Sequence, residues 1–425
     1  MNDNNMRFYY PHGVEKPLQC PPLQADKKVD IAIMGAGFTG LASAILLAKS
    51  GYRVAIVEEK TIGAGASGRN GGHLCTGFTK DMAEVEKMIG LDRAKALWEL
   101  VGLAPKLVEN HIKDYKIDCE LQWGYLHVAA RRHHLKSLHE MQEEWRRYGY
   151  KAHEFLDKAA LEVRLDTKAY FGGVREGGAG HLHPFKYVQG LAKAAIKEGV
   201  EIYEDSEVTR IQSGKNGYLQ IKNGAKLYGD FMLVAGNAYH DLDLPETRPF
   251  LLSVGSYIMA TAPLGHEAAK ALIKGNEAVA DSNIVLDYYR IGQDTRLIFG
   301  GRATYSGREP NNLQEFIHKR MRRVFPQLSK VSVDYAWGGK IGLTLYRYPH
   351  IGRIGDNVYF AQGYCGHGVA LSHAIAQTIA QVIQAQSGYF DLFSTFKPPA
   401  FPGGALRQSL LSLGMLYYRL RDYWG

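Results

Sequence analysis

The clearest chemistry in this chain lies in a glycine cluster and an acid near its start. Gly35-Ala36-Gly37-Phe38-Thr39-Gly40 follows a short apolar run, Val29 to Met34, and opens an Ala- and Leu-rich stretch, Leu41 to Ser50. Gly51 ends that stretch, a β-rich run Tyr52 to Val57 follows, and Glu58 and Glu59 stand at its end. Strand, glycine loop, helix, strand and acid within about 30 residues form the spacing of a dinucleotide-binding unit. Each residue has a physical job there. Gly35 permits the tight turn, Gly37 lets backbone approach a pyrophosphate, and Gly40 lets helix pack close to strand. The helix start presents free N–H groups to the phosphates. Glu58 can accept from ribose hydroxyls, and its charge disfavours a 2′-phosphate and hence NADP.

Two more glycine loops choose among dinucleotides. Gly63-Ala64-Gly65-Ala66-Ser67-Gly68-Arg69-Asn70-Gly71-Gly72 comes directly after the second strand, where it can lie along a cofactor longer than NAD. Gly363-Tyr364-Cys365-Gly366-His367-Gly368 follows an apolar run, Asn357 to Ala361, and precedes a long helical stretch. That helix start can face an electron-rich ring carbonyl such as that of reduced flavin. No second GxGxxG provides a separate NAD(P)H site. The combination favours FAD alone.

The sequence resembles the FAD-dependent oxidoreductases of the D-amino-acid oxidase and glycine oxidase superfamily, nearest to those that oxidise γ-glutamylputrescine. The likeness rests on GAGFTGLASAILLAKSGYRVAIVEE (35–59), IGAGASGRNGGHL (62–74), LVAGNAYH (233–240), LDYYR (286–290), FGGR (299–302) and YPHIGRIGDNVYFAQGYCGHGVALSH (348–373). It implies that Gly35, Ala36, Gly37, Phe38, Thr39 and Gly40 hold the pyrophosphate, and that Glu58, with Glu59 beside it, meets the adenosine ribose. It implies that Ala66, Ser67, Asn70, Gly71, Gly72 and His73 run from pyrophosphate to flavin, and that Val208 meets adenine. Ala235 and Gly236 would approach from the next strand, and Gly366, His367, Gly368 and Val369 would face the pyrimidine side of the ring. Neither His73 nor Cys365 is read as a covalent flavin attachment: Cys365 is read as a small packed residue, and His73 as a non-covalent contact or simple packing.

These loops need a scaffold. The expected class is α/β (α+β overall): a Rossmann-like FAD-binding domain of discontinuous segments, with an inserted antiparallel β-sheet substrate domain. Residues 1–116, 184–244 and 339–425 are assigned to the first, and 117–183 and 245–338 to the second, with 1–28 as an extended arm. Hydrophobic residues are 46% and charged residues 22% of the 425, which excludes extended disorder. No run approaches a membrane span, residues 1–28 lack a secretory h-region, and the four cysteines form no CxxC; a cytoplasmic protein is expected. The formal charge of +8 is dispersed, and Arg131–His134 and Lys319–Arg323 read as solvated helix faces, so no nucleic acid is expected. His181-Leu182-His183 lacks companion ligands, so no metal is expected. The amphipathic stretch Leu406 to Trp424 is read as docking on the protein's own surface, with no integral membrane contact.

The chemistry implied by the resemblance is hydride removal from the carbon beside an amine, delivered to flavin N5. The imine then hydrolyses to an aldehyde, and O2 is reduced to H2O2. Only the neutral amine can push the hydride out. For a Lys-like amine at pH 7, neutrality costs roughly 4.6 kcal/mol unless the site shares it. A desolvated aromatic pocket does so, and Tyr288, Tyr289, Trp337 and Tyr346 are the candidates. Alternation along a strand puts Tyr288 and Tyr289 on opposite faces, and Arg290 on the face of Tyr288, where it could clamp a substrate carboxylate. An amino-acid dehydrogenase passing electrons to a quinone, and a non-catalytic flavin-binding protein, are the alternatives. The exact amine and the oligomeric state stay open.

Overall fold

Ile31, Ala32, Ile33 and Met34 are all buried, as a strand covered on both faces must be. In the computed structural model, which describes residues 8–14, 16–304, 312–386, 388–395, 397–404 and 407, this strand, Lys27–Met34, is central to the first sheet. It pairs in parallel with Val54–Val57 on one side and Lys226–Val234 on the other. Glu201–Tyr203 and Val358–Gln362 extend the parallel sheet outward, and His350–Ile354 closes one edge antiparallel. Ile31 and Ile33 point to a core shared with the helices Phe38–Lys49, Pro184–Lys197 and Gly368–Ile383. Ala32 and Met34 face the other way, towards Leu219 and Ile221 of the hairpin beside Lys226–Val234. This is the period-2 logic of a pleated strand.

The second sheet runs in the order Val333–Leu343, Leu252–Thr261, Leu297–Thr304, Tyr288–Ile291, Ala278–Asp281, Gln122–Val128, Gly173–His181, His73–Leu74. Its pairings are antiparallel except for Ala278–Asp281 with Gln122–Val128. The helix Leu313–Val324 covers one face, where Ile317 and Met321 meet Tyr289 and Phe299.

Three features differ from the expected segment plan. His73–Leu74 belongs to the second sheet, pairing with His181 and Gly180. Val333–Leu343 is one strand across the 338–339 boundary, pairing along its length with Leu252–Thr261. Gly338 and Gly339 do not break it; a Cβ at Gly338 would lie 2.8 Å from the Tyr257 ring, so the glycine makes room for packing. The arm is not extended throughout: Tyr10–Gly13 is a 3-10 turn, and Tyr10 is fully buried. The stretch 406–424 lies outside the described residues, Arg407 apart. No helix among the described residues is long and apolar enough to cross a membrane.

Candidate active site

The parallel strands of the first sheet deliver their C-terminal ends to one place, where an open α/β sheet binds ligands. Gly35 N–H donates to the Val57 carbonyl at 2.8 Å, and Ala235 N–H to the Met34 carbonyl at 2.9 Å. A Cβ at Gly40 would lie 2.0 Å from the Gly35 carbonyl oxygen, so only glycine lets the helix start this close to the strand. Gly37 is the N-cap of Phe38–Lys49 and contributes no side chain. Glu58 is half-buried at the end of Val54–Val57, and its Oε2 accepts from Ala36 N–H at 2.8 Å. Burial raises its carboxyl above the ordinary value, against the opposing pull of the Ala36 and Lys60 N–H groups. Glu59 is exposed, its Oε1 3.6 Å from Lys60 Nζ. Val208 is half-buried on the outer hairpin, and Ala235 and Gly236 flank the strand ends.

The second glycine loop is held from both sides, by the first glycine loop and by residues of the second sheet. Ser67 Oγ accepts from Phe38 N–H at 2.9 Å, tying this loop to the first. Asn70 staples it internally: Nδ2 donates to the Ala66 and Ser67 carbonyls at 3.0 and 2.9 Å, and Oδ1 accepts from Gly72 N–H at 2.8 Å. Three carbonyls then face the second sheet and the residue that follows its strand Gly173–His181. Arg69 O accepts from Trp337 Nε1 at 2.9 Å, Gly71 O from Arg290 Nε at 2.7 Å, and Gly72 O from Leu182 N–H at 2.9 Å.

The third loop joins the first through the Thr39 and Tyr364 hydroxyls, 2.6 Å apart. Cys365 is buried with φ of 54°; its thiol donates to the Gly363 carbonyl and meets Thr344, a packed structural arrangement. Gly366 is exposed, and His367 and Gly368 are half-buried above Val369. His367 Nδ1 lies 3.2 Å from the Gly77 carbonyl, so that nitrogen carries the proton and Nε2 is left as an acceptor. Its helix, Gly368–Ile383, has no side-chain N-cap.

Tyr288 or Tyr289, with Trp337 and Tyr346, is the expected lining of the amine pocket, and Arg290 the expected clamp; the structure separates them. Tyr288 sits over the second loop. A Cβ at Gly71 would lie 2.7 Å from its ring, and its hydroxyl is 3.4 Å from Ser256 Oγ. Burial pushes its phenol up to about 12, so it is neutral. Tyr289 points to the opposite face and stacks on Phe299 at 5.3 Å. Arg290 shares the face of Tyr288 but is 1% exposed, with Nε on Gly71 O and Nη2 3.4 Å from Tyr10 Oη. It grips backbone where a substrate clamp was expected. Trp337 is likewise buried, with its one polar atom committed to Arg69 O. Tyr346 is 44% exposed on the turn after Val333–Leu343, outside any desolvated wall.

His73 packs edge-on against Tyr288 at 5.2 Å and meets the Tyr125 hydroxyl through Nδ1 at 3.0 Å; its Nε2 is buried without a partner. Burial, then the charges of neighbours including Arg290, keep His73 well below the ordinary imidazole value. Burial and Arg290 likewise bring His181 and His183 down to about 3. His181 and His183 do not converge: one meets the Asn276 carbonyl, the other caps the helix Pro184–Lys197. Among the described residues no three His, Cys, Asp or Glu side chains are grouped to hold a metal ion.

A separate hollow lies on the other face of the second sheet, lined in part by Tyr170, Asp281, Asp287 and Arg320. Asp287 pairs with Arg320 at 2.5 Å. Burial, reinforced by Asp287, pushes the Asp281 carboxyl up to about 7. An unfolded Asp ionises near 3.9, so the native state binds the extra proton between those values. Stability contributed by this site is therefore lost as pH rises from about 4 to about 7. Asp281→Asn should raise the melting temperature relative to the parent more at pH 8 than at pH 5, by about 2 °C or more. Equal differences at both pH values would refute this.

Sequence and structure comparisons identify the family. A family model described as "FAD dependent oxidoreductase" matches residues 30–382. Gamma-glutamylputrescine oxidoreductase of Escherichia coli K12 is 36% identical over 419 residues, covering 98% of each chain. The crystal structure of glycine oxidase from Geobacillus kaustophilus superposes with a TM-score of 0.72 at 22% identity, covering 88% of this chain and 100% of that one. L-proline dehydrogenase from P. horikoshii gives 0.70 at 18% identity, over 87% and 98%; these two likenesses establish the fold. The chain thus belongs to the family of FAD-dependent oxidoreductases that includes glycine oxidase, and its cofactor is FAD.

Proposed function

We propose that this enzyme oxidises the primary amine of γ-glutamylputrescine or a close glutamylated polyamine, giving an imine that hydrolyses to the aldehyde, with O2 reduced to H2O2. The observation that carries the reading is the 36% identity, end to end, with a protein of that named activity.

The residues present fit FAD. Two helix starts without side-chain caps, at Gly37 and His367, leave backbone N–H groups for anionic or electron-rich atoms. Gly35, Ala36, Gly37, Phe38, Thr39 and Gly40 would hold the pyrophosphate, and Glu58 the adenosine ribose. Ala66, Ser67, Asn70, Gly71 and Gly72 would lie along the cofactor towards the flavin. The unpartnered Nε2 of His73 would hydrogen-bond near the ring system. Val208, Ala235 and Gly236 would border the nucleotide half, and Gly366, His367, Gly368 and Val369 the pyrimidine side. Bound FAD supplies the acceptor for the hydrogen and electron pair leaving the amine-bearing carbon.

The chain's own part is to seat the amine and take it neutral. Tyr288 offers an aromatic face to the arriving cation, worth about 0.5–2 kcal/mol. Its surroundings then disfavour the charge. His73, His181 and His183 are all held neutral by burial and by the positive Arg290, and the same influences would release a proton from an ammonium bound beside them. No side chain has to act as a strong base.

Oxygen uptake tests the reaction. The expected result is one peroxide and one aldehyde formed per O2 consumed with γ-glutamylputrescine. Dye reduction without peroxide would assign the electrons to another acceptor. Glu58→Ala should weaken FAD without abolishing it, by about 1.5–3 kcal/mol of lost charge-assisted bonds, roughly tenfold to a hundredfold in Kd. Titration of apoprotein with FAD measures it, and an unchanged Kd would remove Glu58 from the site.

A further inference from the structure

Residues Phe8, Tyr9 and Tyr10 are wedged into the joint between the two sheets. Tyr10 is fully buried, its ring 5.2 Å from Trp337 and 4.8 Å from His183. Phe8 lies 6.2 Å from Trp337 and beneath the Arg69 guanidinium at 4.6 Å; Tyr9 lies 6.1 Å from Trp337 and 5.3 Å from Tyr335. These three aromatics surround the very side chains that grip the second glycine loop. Trp337 holds the Arg69 carbonyl, and Arg290 holds the Gly71 carbonyl. Arg290 makes no ion pair among the described residues. Its side-chain acceptors there are the Gly71 carbonyl and the Tyr10 hydroxyl. A buried guanidinium so sparsely partnered depends on each acceptor for its place.

We propose that residues 8–13 form a strap that sets the loop 66–72, with Tyr10 as a positioning residue acting through Arg290 and Trp337. The proposal rests on the reading that this loop lies along the cofactor towards the flavin. The Tyr10 ring fills the joint so that Trp337 keeps its orientation, and the Tyr10 hydroxyl holds the far end of Arg290 so that Nε stays on Gly71. Burial raises the Tyr10 phenol above its ordinary value, so it remains a neutral partner for the guanidinium.

The test uses the full-length chain with Tyr10→Ala and Tyr10→Phe, and Gly37→Val as a control. Four quantities are read: FAD Kd from reconstitution of apoprotein, the shape of the bound flavin's visible absorbance, the melting temperature of the apoprotein, and amide exchange at residues 66–72. Tyr10→Ala is expected to raise the Kd tenfold or more. Tyr10→Phe keeps the ring, so it should restore most of the affinity and the apoprotein melting temperature. It should still show a displaced flavin band and faster amide exchange at 66–72, because Arg290 has lost an acceptor. Parent-like Kd and spectrum in both variants would overturn the proposal. So would an unfolded Tyr10→Ala accompanied by a Tyr10→Phe that matches the parent in every readout, since Tyr10 would then be core packing only. The control separates the two levels: if Gly37→Val binds FAD normally the cofactor-site reading fails, whereas FAD loss there with parent-like Tyr10 variants sinks the strap alone.

Discussion

Gly37→Val should give a soluble, folded protein that no longer binds FAD. The position stands at the N-cap of Phe38–Lys49, where on the proposed reading the backbone would approach a pyrophosphate. A Cβ there would lie 2.8 Å from Ser67 Oγ, the atom that accepts from Phe38 N–H. Valine therefore pushes the second loop off the first and also occupies the phosphate's approach. Gly37 has φ of −92°, which any residue adopts, so no backbone strain threatens the fold. The loss should exceed a thousandfold in Kd, about 4 kcal/mol. Reconstitution titration and far-UV circular dichroism decide it, and normal FAD content would mean that this loop is not the phosphate cradle.

Arg290→Ala should have the second largest effect. The change leaves the Gly71 carbonyl and the Tyr10 hydroxyl without their buried donor and opens a void in the joint between sheets. Unsatisfied buried acceptors and cavities cost about 2–4 kcal/mol together. A lower melting temperature and weakened FAD are expected. Relative kcat/KM for γ-glutamylputrescine and plain putrescine should stay the same once FAD is saturating. A selective rise in KM for the carboxylate-bearing amine would instead make Arg290 the substrate clamp that its strand position first suggested.

The geometry of the glycine loops was legible because their requirements are local. A tight turn, a close helix start and an acid at a strand end are written in residues 35–58, and short-range sterics force the result. The opposite faces of Tyr288 and Tyr289 were legible from the period of a strand alone. The fates of Arg290 and Trp337 were not. Both carry polar groups whose acceptors, the carbonyls of residues 71 and 69, lie more than 200 positions away, and backbone carbonyls leave no mark in a sequence. Tyr346 looked like its aromatic neighbours, yet it falls on a turn, which leaves it 44% exposed. The strand through Gly338 and Gly339 was hidden because paired glycines read as a break until Tyr257 and Tyr239 are seen filling the space beside them. The run Phe8-Tyr9-Tyr10 was the available signal for a buried start to the chain. Three consecutive aromatics are costly to leave in water.

Anaerobic mixing of the FAD-loaded enzyme with γ-glutamylputrescine, followed by the visible flavin band, tests the substrate directly. Reduction by the amine requires binding, a neutral nitrogen and correct placement over the ring, and it is blind to the electron acceptor. The band should bleach at a rate at least equal to steady-state turnover, and at least tenfold faster than with putrescine, glycine or L-proline at equal concentration. An oxidised band that persists with γ-glutamylputrescine but bleaches with glycine or L-proline would contradict amine oxidation of a glutamylated polyamine and make the enzyme an amino-acid oxidoreductase.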